Sequence, residues 1–176
     1  FLVPKKIILF GCQSISIEIL RFLNDKPDVE VVKVFTYEVI SDISRGQESI
    51  KAVAAELGMD VSSPSKISLE QIEEIKNLNP DLIISAYYRK IFPKSLIDIP
   101  PLGIINIHPS FLPHYRGPVP TAWAILNGES DFGITIHKID TGIDTGDILA
   151  QCSYPIDDDE TGYDLYVRAM GLGASL

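Results

Sequence analysis

Cysteine is scarce in this sequence: Cys12 and Cys152 are the only two, and they lie far apart. A disulfide framework needs more of them, and zinc spacing needs close pairs. Both therefore read as small buried hydrophobes of a reducing compartment. Long apolar runs are missing as well. None reaches the roughly 18 residues that span a bilayer. The apolar stretch within FLVPKKIILFG is short and carries no small-residue cleavage site, so it reads as a strand and not a leader. Both absences point to the cytoplasm and away from a membrane. No basic run exceeds Lys5-Lys6, and the formal net charge is −9. Proteins that hold nucleic acid usually turn a basic face to phosphate, so a large RNA partner is disfavoured. The three histidines lack H-E-x-x-H spacing, which argues against a metal centre. The loop at Gly11 has neither a G-x-G-x-x-G fingerprint nor a P-loop, which disfavours a dinucleotide or nucleoside triphosphate there.

What is present looks like one ordinary globular domain. The 176 residues are 45% hydrophobic and 22% charged, enough to bury a sizeable core. The start at Phe1 and the end in GLGASL read as a trimmed chain that lacks a C-terminal segment. Residues 5–11, 29–37, 81–86 and 104–108 are strand-like, rich in β-branched and apolar residues. Between them, helical spacing runs over 14–24, 48–57 and 69–77, with Gly58 stopping the second helix and Ser68 capping the third. A polar loop around Gly46 precedes the second helix. Alternation of this kind predicts an α/β fold: a doubly wound, mostly parallel sheet with helices on both faces. Beyond it come a helix over 120–127 with Trp123 packed on the core, and a strand over 132–138 with one exposed side. A strand over 147–154 and a final helix capped by Thr161 complete the chain, the acidic run 157–160 forming the turn before that helix.

Ligands of such sheets sit at the carboxyl ends of strands. That rule selects the loops at Gly11–Ser14, Tyr87–Pro93 and His108–Pro118, and the last is richest in polar and turn residues. Asn106 and His108 lie two apart on a strand and so share a face. An amide that can donate to a developing oxyanion, beside an imidazole that moves a proton near neutral pH, suits acyl transfer. A satisfied polar pair in a turn is the alternative. Asp-Thr-Gly occurs twice, at 140–142 and 144–146. Such residues build turns, and an acidic loop there can also set a carboxylate against His108, as the third group of a triad does. His137 and His114 read as structural and solvated, respectively.

Residues 81–151 resemble the folate-dependent formyltransferases, which include methionyl-tRNA, glycinamide ribonucleotide and amino-sugar nucleotide N-formyltransferases. The shared elements are Asn106-Ile107-His108, Ser110-Phe111-Leu112-Pro113, Tyr115-Arg116-Gly117, Gly128-Glu129, Gly133-Ile134-Thr135-Ile136-His137 and Asp144-Thr145-Gly146. Residues 5–80 are more weakly similar to the Rossmann-like N-terminal half of that family. The resemblance implies a single catalytic domain over 1–176, 10-formyltetrahydrofolate as donor, no metal, and Asn106, His108 and Asp144 as the catalytic three. It places the folate ring between the loops at Tyr87–Pro93 and Asp140–Asp144. The binding residues expected there are Tyr87, Tyr88, Arg89, Ile91, Leu112, Asp140, Gly142 and Ile143. Ser110, Arg116 and Gly117 are expected at the acceptor. Trp123 and His137 look more like the amino-sugar branch than the tRNA branch, which favours a small-molecule amine over methionyl-tRNA. Formyl-folate hydrolysis and a non-catalytic folate-binding or nucleotide-binding module are the alternatives, and a homodimer is compatible with the family.

Overall fold

The computed structural model describes residues 3–37 and 48–176, so the polar loop around Gly46 lies outside the described residues. The chain divides into two compact units, Phe1–Ile105 and Asn106–Leu176.

The first unit is built on β1 (Lys5–Gly11), whose Ile7, Ile8, Leu9 and Phe10 are all buried. A strand apolar on both sides must be covered on both faces, which is the position of a central parallel strand. It pairs in parallel with β2 (Val29–Phe35) on one side and β4 (Leu82–Ala86) on the other. The short β3 (Val61–Ser62) adds to β2, giving the order β3-β2-β1-β4. The chain thus winds outward from β1 to β3 and returns across β1 to β4. With right-handed crossovers, α1 (Gln13–Asn24) and α2 (Ile50–Glu56) take one face and α3 (Leu69–Leu78) the other. α1 packs on β1, β2 and α2. The winding direction reverses between the carboxyl ends of β1 and β4. Above these ends Phe10 stacks on Phe35, with ring centroids 4.6 Å apart, and meets Tyr88 and Phe92 edge-on. A single turn, α4 (Lys94–Ile97), precedes β5 (Ile104–His108).

The second unit begins within β5. β6 (Asp131–Lys138) and β7 (Ile148–Pro155) form an antiparallel pair with a register shift between Ile136 and His137. α5 (Pro120–Leu126) packs on α6 (Gly162–Ser175), and α6 packs on β6. As expected, Thr161 caps α6 by accepting from the Asp164 N–H at 3.2 Å.

Two expectations fail here. β6 has no exposed side over Phe132–Thr135, where every residue is buried. α6 packs on this strand, and the Thr135 hydroxyl donates to the Ser110 carbonyl. Trp123 is 56% exposed and is not a core residue; α5 buries Pro120, Thr121 and Ala124 instead. Gly162, at the start of α6, lies close to the Ala122 backbone. Cys12 is buried and Cys152 half-buried, and the two are not joined in a disulfide. Among the described residues, no helix is long and apolar enough to cross a membrane.

Candidate active site

Asn106 and His108 project from β5, His137 stands near the end of β6, and Asp144 lies in the loop between β6 and β7. All four belong to the second unit, and they converge. The Asp144 carboxylate stands 3.6 Å from His108 Nδ1 through one oxygen and 3.5 Å from His137 Nε2 through the other. Asn106 Nδ2 lies 3.2 Å from His137 Nε2.

Backbone carbonyls fix both imidazole tautomers, since a carbonyl can only accept. His108 Nε2 is 2.9 Å from the Tyr115 oxygen and must carry hydrogen there. Its Nδ1, turned to Asp144, is the atom left to exchange a proton. His137 Nδ1 is likewise bound to the Lys138 carbonyl at 2.8 Å. One N–H of the Asn106 amide faces His137 Nε2, and the second is left for a developing oxyanion.

Burial sets the charge state of His108. The ring is 6% exposed, and desolvation holds it below the ordinary imidazole value, against the raising influence of the Asp144 charge and the Tyr115 carbonyl. Burial acts on Asp144 in the upward direction. The neighbouring His137 and His108 rings and the Gly117 N–H outweigh it, and the carboxyl lies below its ordinary value. The resting pair is a neutral imidazole beside a carboxylate, which can take a proton at Nδ1 and stabilise the resulting cation.

The loop carrying Asp144 is built by the first Asp-Thr-Gly copy. Asp140 accepts from the Gly142 N–H at 2.9 Å and the Thr145 hydroxyl at 2.6 Å, so its side chain is spent on the turn. Gly142 and Gly146 have no room for a side chain: a Cβ would fall 2.0 Å from Thr145 Oγ1 and 1.9 Å from the Lys138 oxygen, respectively. Asp144 itself has φ 51°, a left-handed conformation uncommon outside glycine. The Gly117 N–H holds its carboxylate at 2.8 Å.

The other expected site residues fall as follows. Ser110 is buried, and its hydroxyl donates to the His114 carbonyl at 2.7 Å. Leu112 is buried, whereas Arg116 and His114 are exposed. Ile143 is 62% exposed. In the first unit, the Tyr87 carbonyl accepts from Cys12 Sγ at 2.9 Å and Tyr37 Oη at 3.1 Å. Tyr88 packs in the aromatic cluster, Arg89 is exposed, and Ile91 is 80% exposed. His137, which reads as structural in the sequence, stands within this cluster. A signal was available, because Thr135 and His137 share one face of a strand that leads straight into the acidic loop.

A family model described as formyl transferase matches residues 5–175. The methionyl-tRNA formyltransferase of Citrifermentans bemidjiense is 42% identical over 176 residues, 97% of this chain and 55% of its own. This chain thus spans about half the length of the curated relatives it matches. An N-formyltransferase from Helicobacter canadensis, solved in complex with folinic acid and dTDP-3-aminofucose, superposes with a TM-score of 0.79 at 28% identity. The match covers 97% of this chain and 60% of that one. The phosphoribosylglycinamide formyltransferase of Bacillus halodurans shares the fold, with a TM-score of 0.82 at 24% identity, over 98% of this chain and 91% of that one.

Proposed function

The chain belongs to the formyl transferase family, and from that membership we propose that it moves a formyl group from 10-formyltetrahydrofolate to a primary amine, with residues 1–176 acting as one catalytic domain. The convergence of Asn106, His108 and Asp144 carries this reading. The amine nitrogen attacks the formyl carbon, and Asn106 donates an N–H to the resulting oxyanion. His108 takes the amine proton at Nδ1, while the Asp144 carboxylate stabilises the imidazolium. The proton then passes to the folate nitrogen as its bond to the formyl carbon breaks, and neutral His108 is restored. Ile143, an exposed apolar side chain in the loop that carries Asp144, is a candidate to contact the donor.

Methionyl-tRNA is the acceptor best supported, because curated relatives bearing that activity in their names are 38–44% identical to this chain. This reverses the order suggested by Trp123 and His137. An amino-sugar nucleotide is the second reading, favoured by those two residues, by the net charge of −9 and by the sugar substrate bound to the Helicobacter canadensis enzyme.

The test is formyl transfer from 10-formyltetrahydrofolate to methionyl-tRNA, to dTDP-linked amino sugars and to glycinamide ribonucleotide, with a control lacking any amine. Formate release in that control identifies a hydrolase instead. Asn106→Ala, His108→Ala and Asp144→Ala are each expected to lower turnover by about 10² or more. Near-normal turnover in all three defeats the assignment.

A further inference from the structure

The loop from Pro109 to Val119 serves the centre with its backbone. The Tyr115 carbonyl accepts from His108 Nε2–H, and the Gly117 N–H donates to Asp144. Both contacts depend on the turn at Tyr115, whose φ of 57° is left-handed. A residue with a Cβ stays in that region only when its surroundings hold it there. Earlier in the loop the hold is clear. Ser110 Oγ donates to the His114 carbonyl, Leu112 N–H donates to Thr135 Oγ1, and Gln151 Nε2 donates to the Leu112 carbonyl. Those bonds end at His114, one residue short of the turn.

At the turn, the Tyr115 side chain takes over. Its hydroxyl donates to Glu129 Oε1 and accepts from Asn127 Nδ2 at 2.9 Å. Asn127 closes α5, and Gly128, at φ 66°, sends the chain back so that Glu129 reaches the phenol. We infer that Tyr115 is a positioning residue, its hydroxyl latched by Glu129 and Asn127 so that the neighbouring main chain aims His108 and Asp144. The inference rests on His108 as the proton carrier proposed above.

The variants are Tyr115→Phe, Glu129→Ala and Glu129→Gln, measured in two ways. In formyl transfer from 10-formyltetrahydrofolate to the amine found in the acceptor panel, Tyr115→Phe and Glu129→Ala lower kcat roughly threefold to tenfold, the net effect of one hydrogen bond. KM for the donor stays put, and the double variant is no worse than either single change. Glu129→Gln, which keeps an acceptor oxygen, retains most of the activity. In 15N NMR of histidine-labelled protein without substrate, wild-type His108 shows one tautomer with hydrogen on Nε2, and the two disruptive variants show a mixture.

An unchanged His108 tautomer in both variants overturns the proposal, as does a loss that appears in KM or multiplies in the double variant. A wild-type chain inactive toward every amine defeats the functional reading, and the spectra still decide the latch. Should Tyr115→Phe fail to fold, Glu129→Ala, which leaves the ring in place, decides it alone.

Discussion

The two Asp-Thr-Gly copies are identical in sequence and opposite in use. Asp140 folds back on Gly142 and Thr145, whereas Asp144 reaches both imidazoles. Nothing in either tripeptide distinguishes them. The difference comes from the neighbouring Gly117 N–H and the two histidines, which reach the loop only through the fold. Asn106 and His108 were easier to find, since alternation along a strand puts them on one face. His137 reads as structural in the sequence because a lone strand histidine usually satisfies backbone. Its Nδ1 does so here, while its Nε2 serves the site. The charge on Asp144 leads to a prediction. Burial lowers His108, and Asp144 raises it in partial compensation. Asp144→Asn keeps the shape and removes the raising influence. The acid limb of the kcat/KM profile should lie below the ordinary imidazole value of about 6.5 in the parent and move to still lower pH in the variant, beside a large loss of rate. A limb that stays fixed or moves upward removes Asp144 from that electrostatic role.

Elements long enough to show a period were legible in the sequence, and their bounds mostly hold within a residue or two. β3 and α4 were missed; a two-residue strand and a single helical turn have no periodicity to read. β6 was misjudged because its exposure depends on what packs against it. At Gly11 the structure shows why the turn between β1 and α1 holds a glycine. A Cβ there would fall 2.2 Å from Ser16 Oγ and 2.7 Å from Ser16 Cβ. Ser16 cannot yield easily, because it is fully buried and its hydroxyl bonds the Cys12 and Ala86 carbonyls at 2.8 and 3.2 Å. Gly11→Ala must push α1 off β1, at a cost of about 1–3 kcal/mol in urea unfolding. Gly58 has φ 70° and open space around it, so Gly58→Ala meets backbone strain alone. The change at Gly11 is expected to cost more; the reverse order would mean that the α1–β1 contact can yield at Ser16 without cost.

Taken as a whole, the chain gathers its titrating groups into a pattern with a pH signature. Asp144 is held below its ordinary value, so its contribution is complete above about pH 4 and is lost as pH falls through its folded value. His108 is also lowered, so the unfolded chain binds its proton first. Its contribution is complete above about 6.5 and fades as pH falls from there. On the alkaline side, burial raises Tyr88 to about 12. Lys33 is also raised, because its bonds to Asp60 and Glu74 outweigh its desolvation. Both contributions are lost as pH climbs past about 10, where the unfolded chain gives up its protons. Urea midpoints should therefore form a plateau from about pH 6.5 to 10. The acid shoulder is the discriminating part. A chain of net charge −9 sheds self-repulsion as it is acidified, which by itself favours the compact state. A fall in stability between about pH 6.5 and 5 must overcome that trend, and the buried imidazole supplies up to about 1.4 kcal/mol per pH unit. His108→Gln should flatten the shoulder and leave the steeper loss below about pH 4 in place. A parent and a His108→Gln variant with the same slope between about pH 6.5 and 5 would mean that His108 does not rest neutral, and the proton-accepting role at Nδ1 would fall with it.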